Sequence, residues 1–129
     1  MKTPLPHIKV LFVDDEPALQ ALAEDLLVEE GCEVICVSSA REALELFAQH
    51  GQQVDLVVTD ESMPGMSGIE LAQHFFKLDP QLPIILCSGY QLSMADEGIG
   101  ATNIKAVLAK TDVFLKLPAT IANIFAQDR

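Results

Sequence analysis

The stretch Val54–Gly68 constrains the fold of this chain more than any other. Its first half contains the continuous apolar run Leu56–Val58, which is too short for a helix and rich in β-branched residues. Such a run predicts a strand that is buried on both faces, and here it ends at Asp60. Because open α/β sheets bind ligands beyond the carboxyl ends of their strands, we expect Asp60 to face a binding site.

The residues after Asp60 predict a tight turn followed by a helix. Residues 63–68 are rich in turn-forming types, and Ser67 with Glu70 three residues later has the pattern of a capping box. Asp60 is therefore expected on a short, rigid loop between a strand and a helix.

The rest of the chain repeats this pattern of a short apolar run followed by a helical segment. Further strands are predicted over residues 8–13, 33–37, 82–87 and 104–109, and a short helix over residues 93–98. Strands that alternate with helices form right-handed βαβ units. The sequence thus predicts an α/β fold with a single doubly wound, five-stranded parallel sheet of order 2-1-3-4-5, the flavodoxin-like arrangement.

Local signals predict where the helices begin and which face is buried. Pro17 suits the first turn of the first helix, Gly31 suits its end, and a second capping box pairs Ser39 with Glu42. Pro118 is expected in or near the first turn of the last helix. The apolar face of the first helix is predicted from residues at helical spacing, namely Leu19, Leu22 and Leu26.

Chain length and composition limit the class of protein. The 129 residues predict one domain, residues 1–129, with residues 1–7 as a loose amino-terminal segment. A formal net charge of -11 argues against binding nucleic acid or an anionic membrane surface, and favours a cation or a basic partner. No apolar run suits a membrane span or a signal peptide, so we expect a cytoplasmic protein. The cysteines lie in apolar segments and are interpreted as packing residues.

The predicted strand order brings distant acidic residues together. Strands one and three are neighbours in that order, so Asp14, Asp15 and Asp60 should meet at one edge of the sheet. Ser88 and Lys110 follow the next two strands and should arrive at the same edge. Carboxylates about 5 Å apart repel by roughly 3 kcal/mol per pair at an effective dielectric constant near 20, so a divalent cation is expected. Oxygen ligands of this kind suit Mg²⁺.

These residue types together favour transfer of a phosphoryl group onto a carboxylate. An aspartate supplies the nucleophile, a lysine neutralises charge, and a serine hydroxyl donates a hydrogen bond to the product. In this interpretation Asp60 is the acceptor.

The same motifs resemble the receiver domain of two-component response regulators over nearly the whole chain. The resemblance depends on the order and spacing of four groups, each at a strand end: Asp14-Asp15, Asp60 with Met63-Pro64 and Gly68, Ser88-Gly89-Tyr90, and Lys110. It implies a signalling domain that is not a turnover enzyme, with Asp60 taking a phosphoryl group from a histidine kinase or a histidine phosphotransfer protein. It also implies slow hydrolysis of its own acyl phosphate.

The resemblance further implies a metal site and a switch. Mg²⁺ would be held by Asp15, Asp60 and the backbone carbonyl of Ser62, with Asp14 acting through water. Ser88 and Lys110 would contact the phosphoryl oxygens. Ser88 and Tyr90 would then move together and alter the face of the fourth and fifth helices, which a downstream output domain or protein would recognise.

Three positions around the predicted site are particular to this chain. Receiver domains usually have a proline with a cis bond after the lysine, whereas here Thr111 follows Lys110, and a trans bond is predicted because a cis bond before a non-proline costs about 3 kcal/mol. The positions two past Asp60 and two past Ser88 tune phosphoryl lifetime in the family. We expect the small Ser62 to leave space for a water molecule near the phosphoryl group, and Tyr90 to shield that space in part.

Two other functions fit part of the pattern. A Mg²⁺-dependent phosphohydrolase with an aspartyl nucleophile generally has a second aspartate two residues after the first, whereas Asp14 and Asp15 are adjacent. A scaffold that resembles a receiver but takes no phosphate is suggested by Thr111. The chain also fits a single-domain regulator, a relay intermediate, or a receiver from a larger kinase or regulator.

Overall fold

Strands and helices alternate along the chain. The computed structural model describes residues 7–50, 53–89 and 98–127. The strands are β1 (Lys9–Val13), β2 (Glu33–Val37), β3 (Leu56–Asp60), β4 (Ile84–Ser88) and β5 (Ile104–Ala109). The α-helices of the described residues are α1 (Pro17–Glu29), α2 (Ala40–His50), α3 (Gly68–Leu78) and α4 (Val113–Gln127), and a 3-10 helix at Ile99–Ala101 precedes β5.

The strands form one parallel sheet of order β2-β1-β3-β4-β5, which confirms the predicted fold. In its register Val13 pairs with Thr59 and Asp60 pairs with Cys87. The carboxyl ends of β1, β3 and β4 therefore lie side by side. This places the residues that follow β1 next to Asp60.

Helices cover both faces of the sheet and give two apolar layers. Alternate strand residues point to opposite faces, so Phe12 and Val58 pack toward α1 and α4, whereas Leu11 and Val57 pack toward α2 and α3. All residues of β3 and β4 are buried, while β2 is partly exposed, as predicted for an edge strand. No helix within the described ranges combines the length and hydropathy needed to span a membrane.

Helix boundaries follow most of the local signals. Pro17 is the first residue of α1, and Gly31 after its end has a φ of 97°, a conformation that glycine adopts without strain. Ser67 and Glu70 form the complete capping box at α3. At α2 the Ser39 hydroxyl oxygen accepts from the Glu42 N–H, but the Glu42 carboxylate accepts from the N–H of Ser38.

The buried face of α1 differs from the prediction. Ala23 and Leu27 are fully buried, whereas Leu22 is 53% exposed, so the inward face is turned by one residue. The small side chain of Ala23 lies in the apolar layer against the sheet, and Leu19 and Leu26 flank it, half-buried. The leucine spacing alone did not reveal that an alanine faces the core.

Pro118 was expected in or near the first turn of the last helix, and the structure places it further inside the helix. α4 already begins at Val113, so Pro118 lies inside it. The earlier start has a physical basis, because Val113 is buried in the core and the Asp112 carbonyl accepts from the N–H groups of Leu115 and Lys116. The predicted helix over residues 93–98 and the loose segment 1–7 fall almost entirely outside the described residues, as does Tyr90.

Candidate functional site

Three carboxylates meet at the carboxyl edge of the sheet. Asp14 and Asp15 follow β1, and Asp60 is the last residue of β3. One oxygen from each lies within 4.8 Å of the others. Asp14 and Asp60 are 3% and 2% exposed, whereas Asp15 is exposed to solvent. The predicted convergence of these residues is present in the structure.

Asp60 is held from both sides of its carboxylate. Its Oδ1 accepts a hydrogen bond of 3.3 Å from the N–H of Ser62, and its Oδ2 lies 3.0 Å from Nζ of Lys110. The N–H of Glu61 donates to the Cys87 carbonyl at 2.8 Å, which ties the next residue to β4. The carboxylate is therefore fixed in place and has a cation beside it.

Gly68 lets α3 begin against the backbone of Asp60. A Cβ atom at this position would overlap the carbonyl oxygen of Asp60 and lie 3.0 Å from Cα of Glu61. The N–H of Gly68 donates to the Glu61 carbonyl at 3.0 Å. In the sequence Gly68 belongs to the motif that follows Asp60, and the structure adds that only glycine fits this close approach.

Asp14 is buried in a position that disfavours its charge. Burial raises the pKa of its carboxyl group, and the charge of Asp60 raises it further. The N–H of Glu16, which donates to Oδ1 of Asp14 at 2.9 Å, and the charge of Lys110 oppose this shift without cancelling it. The metal-free site therefore holds negative charge at a cost.

Lys110 reaches the acidic residues from the end of β5. Its Nζ lies 3.0 Å from Oδ2 of Asp60 and 3.4 Å from Oε1 of Glu16, and its N–H donates to the Ser88 carbonyl at 2.8 Å. Burial lowers the pKa of the ammonium group, but the hydrogen bond to Asp60 and the surrounding carboxylates outweigh it and raise the pKa. No described peptide bond is cis, which confirms the trans bond predicted before Thr111.

The other predicted site residues have different positions. Ser88 ends β4 with 2% exposure, one residue beyond the Cys87 that pairs with Asp60. Ser62 is exposed on the loop after Asp60, and its N–H contacts the Asp60 carboxylate. Tyr90, the predicted switch partner of Ser88, lies outside the described residues.

Two glutamates have larger roles than the sequence indicated. Glu16 directly follows the acidic pair in the sequence, and it is an ion-pair partner of Lys110. Glu61 was not predicted. Its Oε1 accepts from the N–H of Ile69 at 2.8 Å, and burial raises its pKa. Adjacency to Asp60 was the one available signal, because a contact across eight residues of a loop has no local pattern.

The cysteines behave as packing residues. Cys32, Cys36 and Cys87 are free thiols that contribute to the apolar layer beside α1 and α4. Burial, with the charges of Asp60 and Asp14, raises the pKa of Cys87 to about 12. Its thiol therefore stays protonated at neutral pH.

The donor set at this edge fits a hard divalent cation. Three carboxylate oxygens within 4.8 Å of one another can contact one ion, and their mutual repulsion is relieved by its charge. A carboxylate that can give one oxygen to a cation and use the other for attack, next to a lysine, is also suited to accept an electrophilic phosphorus atom.

The sequence matches a known family over most of its length. A family model for the response regulator receiver domain matches residues 10–121. Chemotaxis protein CheY of Bacillus subtilis is 35% identical over 95 residues, which cover 72% of this chain and 78% of CheY. The two-component response regulator ARR11 of Arabidopsis thaliana is 37% identical over 81 residues, covering 63% of this chain. The chain spans only 15% of the length of ARR11.

Solved structures with the same fold include response regulators. The response regulator TrrA of Thermotoga maritima, solved in complex with Mg(2+)-BeF, is 32% identical with a TM-score of 0.80, over 91% of this chain and 98% of TrrA. TrrA solved in complex with the histidine kinase ThkA gives 32% identity and a TM-score of 0.79, over 91% of this chain and 97% of TrrA.

Proposed function

This chain belongs to the response regulator receiver domain family, and from that premise we propose that Asp60 is its phosphoryl acceptor. Receiver domains are signalling domains of two-component systems. The observation that carries the proposal is the state of Asp60: a buried carboxylate, fixed by the N–H of Ser62 and by Lys110, beside two further acids.

The proposed step moves one phosphoryl group. An oxygen of Asp60 attacks the phosphorus atom of a phosphohistidine, the new O–P bond forms as the P–N bond breaks, and the electron pair returns to the imidazole, which takes a proton. Lys110 would leave Asp60 for the transferred oxygens, where its positive charge is needed. Ser88 would donate its hydroxyl hydrogen to the same group.

Mg²⁺ is the proposed metal, held by Asp15, Asp60 and the backbone carbonyl of Ser62, with Asp14 acting through water. The close approach of the three carboxylates and the Mg(2+)-BeF complex of TrrA support this assignment. When bound, the ion neutralises charge that develops on the phosphoryl oxygens. The chain's own part is to hold these oxygen ligands together, a donor set that favours hard divalent cations.

The donor and the output are proposed from the family. A histidine kinase or histidine phosphotransfer protein would supply the phosphoryl group, in agreement with the TrrA–ThkA complex. Ser88 and Tyr90 would respond to it together and change the face read by a downstream domain or protein. These steps belong to the cytoplasm, and residues 1–129 would act as one receiver unit. Direct binding of nucleic acid or a membrane forms no part of the proposal.

The acyl phosphate is proposed to hydrolyse slowly without a separate enzyme. Ser62 is exposed beside Asp60 and is small enough to leave room for water. We expect Ser62→Asn to lengthen the lifetime and Tyr90→Ala to shorten it. Dephosphorylation rates identical to wild type in both variants would refute these roles.

Labelling by a small phosphodonor tests the acceptor. Wild type should take up one phosphoryl group in the presence of Mg²⁺, mass mapping should locate it on Asp60, and Asp60→Asn should abolish uptake. Asp25→Asn, an exposed acid on α1, is the matched control and should label normally. Label that persists in Asp60→Asn at full yield would contradict the assignment.

The same assay tests Lys110 and the two alternatives. Lys110→Met should slow uptake strongly, because the developing charge loses its cation. The scaffold alternative was suggested by Thr111 after Lys110, and the 3.0 Å contact of Lys110 with Asp60 speaks against it. Failure to bind beryllofluoride with Mg²⁺ would restore it. Sustained turnover of a phosphate ester would instead favour a phosphohydrolase.

A further inference from the structure

Gln20 of α1 connects the ends of β1 and β2. Its side-chain Nε2 lies 2.6 Å from the carbonyl oxygen of Asp14, 3.3 Å from the carbonyl oxygen of Val37 and 3.2 Å from Oγ of Ser38. Two of these partners are pure acceptors, so the amide must present its N–H groups to them. No motif of the sequence marks this residue.

The Asp14 carbonyl belongs to the peptide that leads directly into Asp15. The N–H of Asp14 already donates to Val37 at 3.1 Å, and its side-chain oxygen accepts from Glu16 at 2.9 Å. The backbone carbonyl of Asp14 accepts from the side-chain amide of Gln20 at 2.6 Å. The orientation of the peptide between Asp14 and Asp15 determines where the Asp15 side chain lies.

The acids that this peptide carries repel one another. Asp14 and Asp15 have oxygens within 4.8 Å of Asp60, and burial of Asp14 adds to the cost of the charge. In the absence of a cation this repulsion favours movement of the segment away from β3. A donor that anchors the peptide to β2 opposes that movement.

We propose that Gln20 is a positioning residue for the acidic cluster. Its amide holds the peptide between Asp14 and Asp15 against the end of β2, so that the carboxylates remain close enough to bind one cation. The inference rests on the metal site proposed above. It concerns a residue outside that site which determines how well the site is formed before any ion arrives.

A Mg²⁺ titration of the full chain, monitored by ¹H–¹⁵N NMR, tests the proposal. Gln20→Met keeps the length of the side chain and removes the donor, and we expect the half-saturating Mg²⁺ concentration to rise about tenfold, as for other residues that orient metal ligands. Gln73→Met is the matched control, because Gln73 also donates to a carbonyl, that of Gly98 at 3.4 Å, but on α3. It should bind Mg²⁺ as wild type does.

Gln20→Glu separates donation from charge. A glutamate of the same size cannot donate to the two carbonyls, yet its charge would attract a cation. Weaker Mg²⁺ binding in this variant supports the positioning role, whereas binding equal to or tighter than wild type overturns it. The variant also serves if Gln20→Met fails to fold.

A second measurement needs no metal. In the metal-free protein, Gln20→Met should speed hydrogen exchange at the Asp14 amide relative to the Leu11 amide in the middle of β1, by about tenfold. The end of β1 then keeps only its direct hydrogen bond to Val37 and loses the link through Gln20. Unchanged relative exchange together with unchanged Mg²⁺ affinity overturns the inference. Wild type that binds no Mg²⁺ would contradict the proposed metal site, while the exchange measurement would still decide the role of Gln20.

Discussion

Burial has opposite effects on stability in the apolar layers and at the carboxyl edge of the same sheet. The layers bury aliphatic and aromatic side chains, each of which stabilises the fold by about 1.5–3 kcal/mol when fully buried. The edge contains all of the buried polar and charged residues in the described part of the chain, namely Asp14, Thr59, Asp60 and Ser88. Burial stabilises the fold in the first region and opposes it in the second.

This contrast teaches that the layers hold the edge in a state it would not adopt alone. Two nearly buried acids have oxygens within 4.8 Å of a third, and a single lysine Nζ offsets part of their charge. A flexible segment would separate them. Strands buried on both faces cannot move without loss of packing, so the acids stay close together. The repulsion between them is then relieved when a cation binds.

The largest effect should come from the layers. Phe75 is fully buried and stacks edge-on against Phe47 at 5.0 Å between ring centroids. Phe75→Ala should lower the free energy of unfolding by about 3–5 kcal/mol, because it leaves a cavity. Phe76→Ala, a 38% exposed neighbour on α3, is the control and should cost far less in denaturant unfolding. Equal losses would contradict the account of this layer.

A smaller effect is expected where the two regions meet. Gly68→Ala would drive a methyl group into the Asp60 backbone, and we expect a loss of about 1–3 kcal/mol with a shifted acceptor loop. Both the free energy of unfolding and the rate of phosphoryl uptake should decrease. Gly100→Ala meets open space and should leave uptake unchanged. Normal uptake in Gly68→Ala would show that the loop adjusts more freely than its contacts indicate.

At the carboxyl edge we expect a substitution to increase the free energy of unfolding instead of lowering it. Asp14→Asn keeps the oxygen that accepts from Glu16, removes a buried charge, and should stabilise the metal-free protein by about 1 kcal/mol at pH 7. Since burial raises the pKa of Asp14 above 3.8, this gain should shrink as the pH falls through the raised value and the wild-type carboxyl takes up a proton.

Two comparisons sharpen that result. Asp25→Asn on the exposed face of α1 should leave stability nearly unchanged. Added Mg²⁺ should stabilise wild type more than Asp14→Asn. A destabilised Asp14→Asn at pH 7 without metal would break the contrast between the two regions.

A loss no larger than the gain predicted for Asp14→Asn is expected at the helix caps, which belong to neither region. Ser67→Ala removes one side of a complete capping box and should cost about 1 kcal/mol. Ser39→Ala should cost less, because Glu42 turns to the N–H of Ser38 instead. Thermal unfolding of both variants measures the difference, and a larger loss for Ser39→Ala would contradict it.

The sequence predicted what depends on local pattern and on simple topology. Apolar runs located the strands to within about two residues, and the strand order then placed Asp14, Asp15 and Asp60 together. The acids could be found because they directly follow strands. A trans bond before Thr111 followed from backbone energetics alone.

What the sequence did not predict depends on contacts across the fold. The rotation of α1 about its axis follows from the burial of Ala23 and Leu27 in the apolar layer, and the start of α4 from the burial of Val113. Gln20 and Glu61 bind backbone groups of other segments, and no pattern in the adjacent sequence predicts those partners. Such contacts require the assembled sheet.

The loop after Asp60 is tied at its two ends. The Glu61 carbonyl accepts from Gly68 and its carboxylate from Ile69, so the residues between them form a closed ring attached to the rest of the protein at its base. Added length in such a ring costs little, about 0.6 kcal/mol for each doubling. Pro64 and Gly65 are exposed at the far side of this loop, so their junction is the place in it where we expect an inserted reporter peptide to be best tolerated.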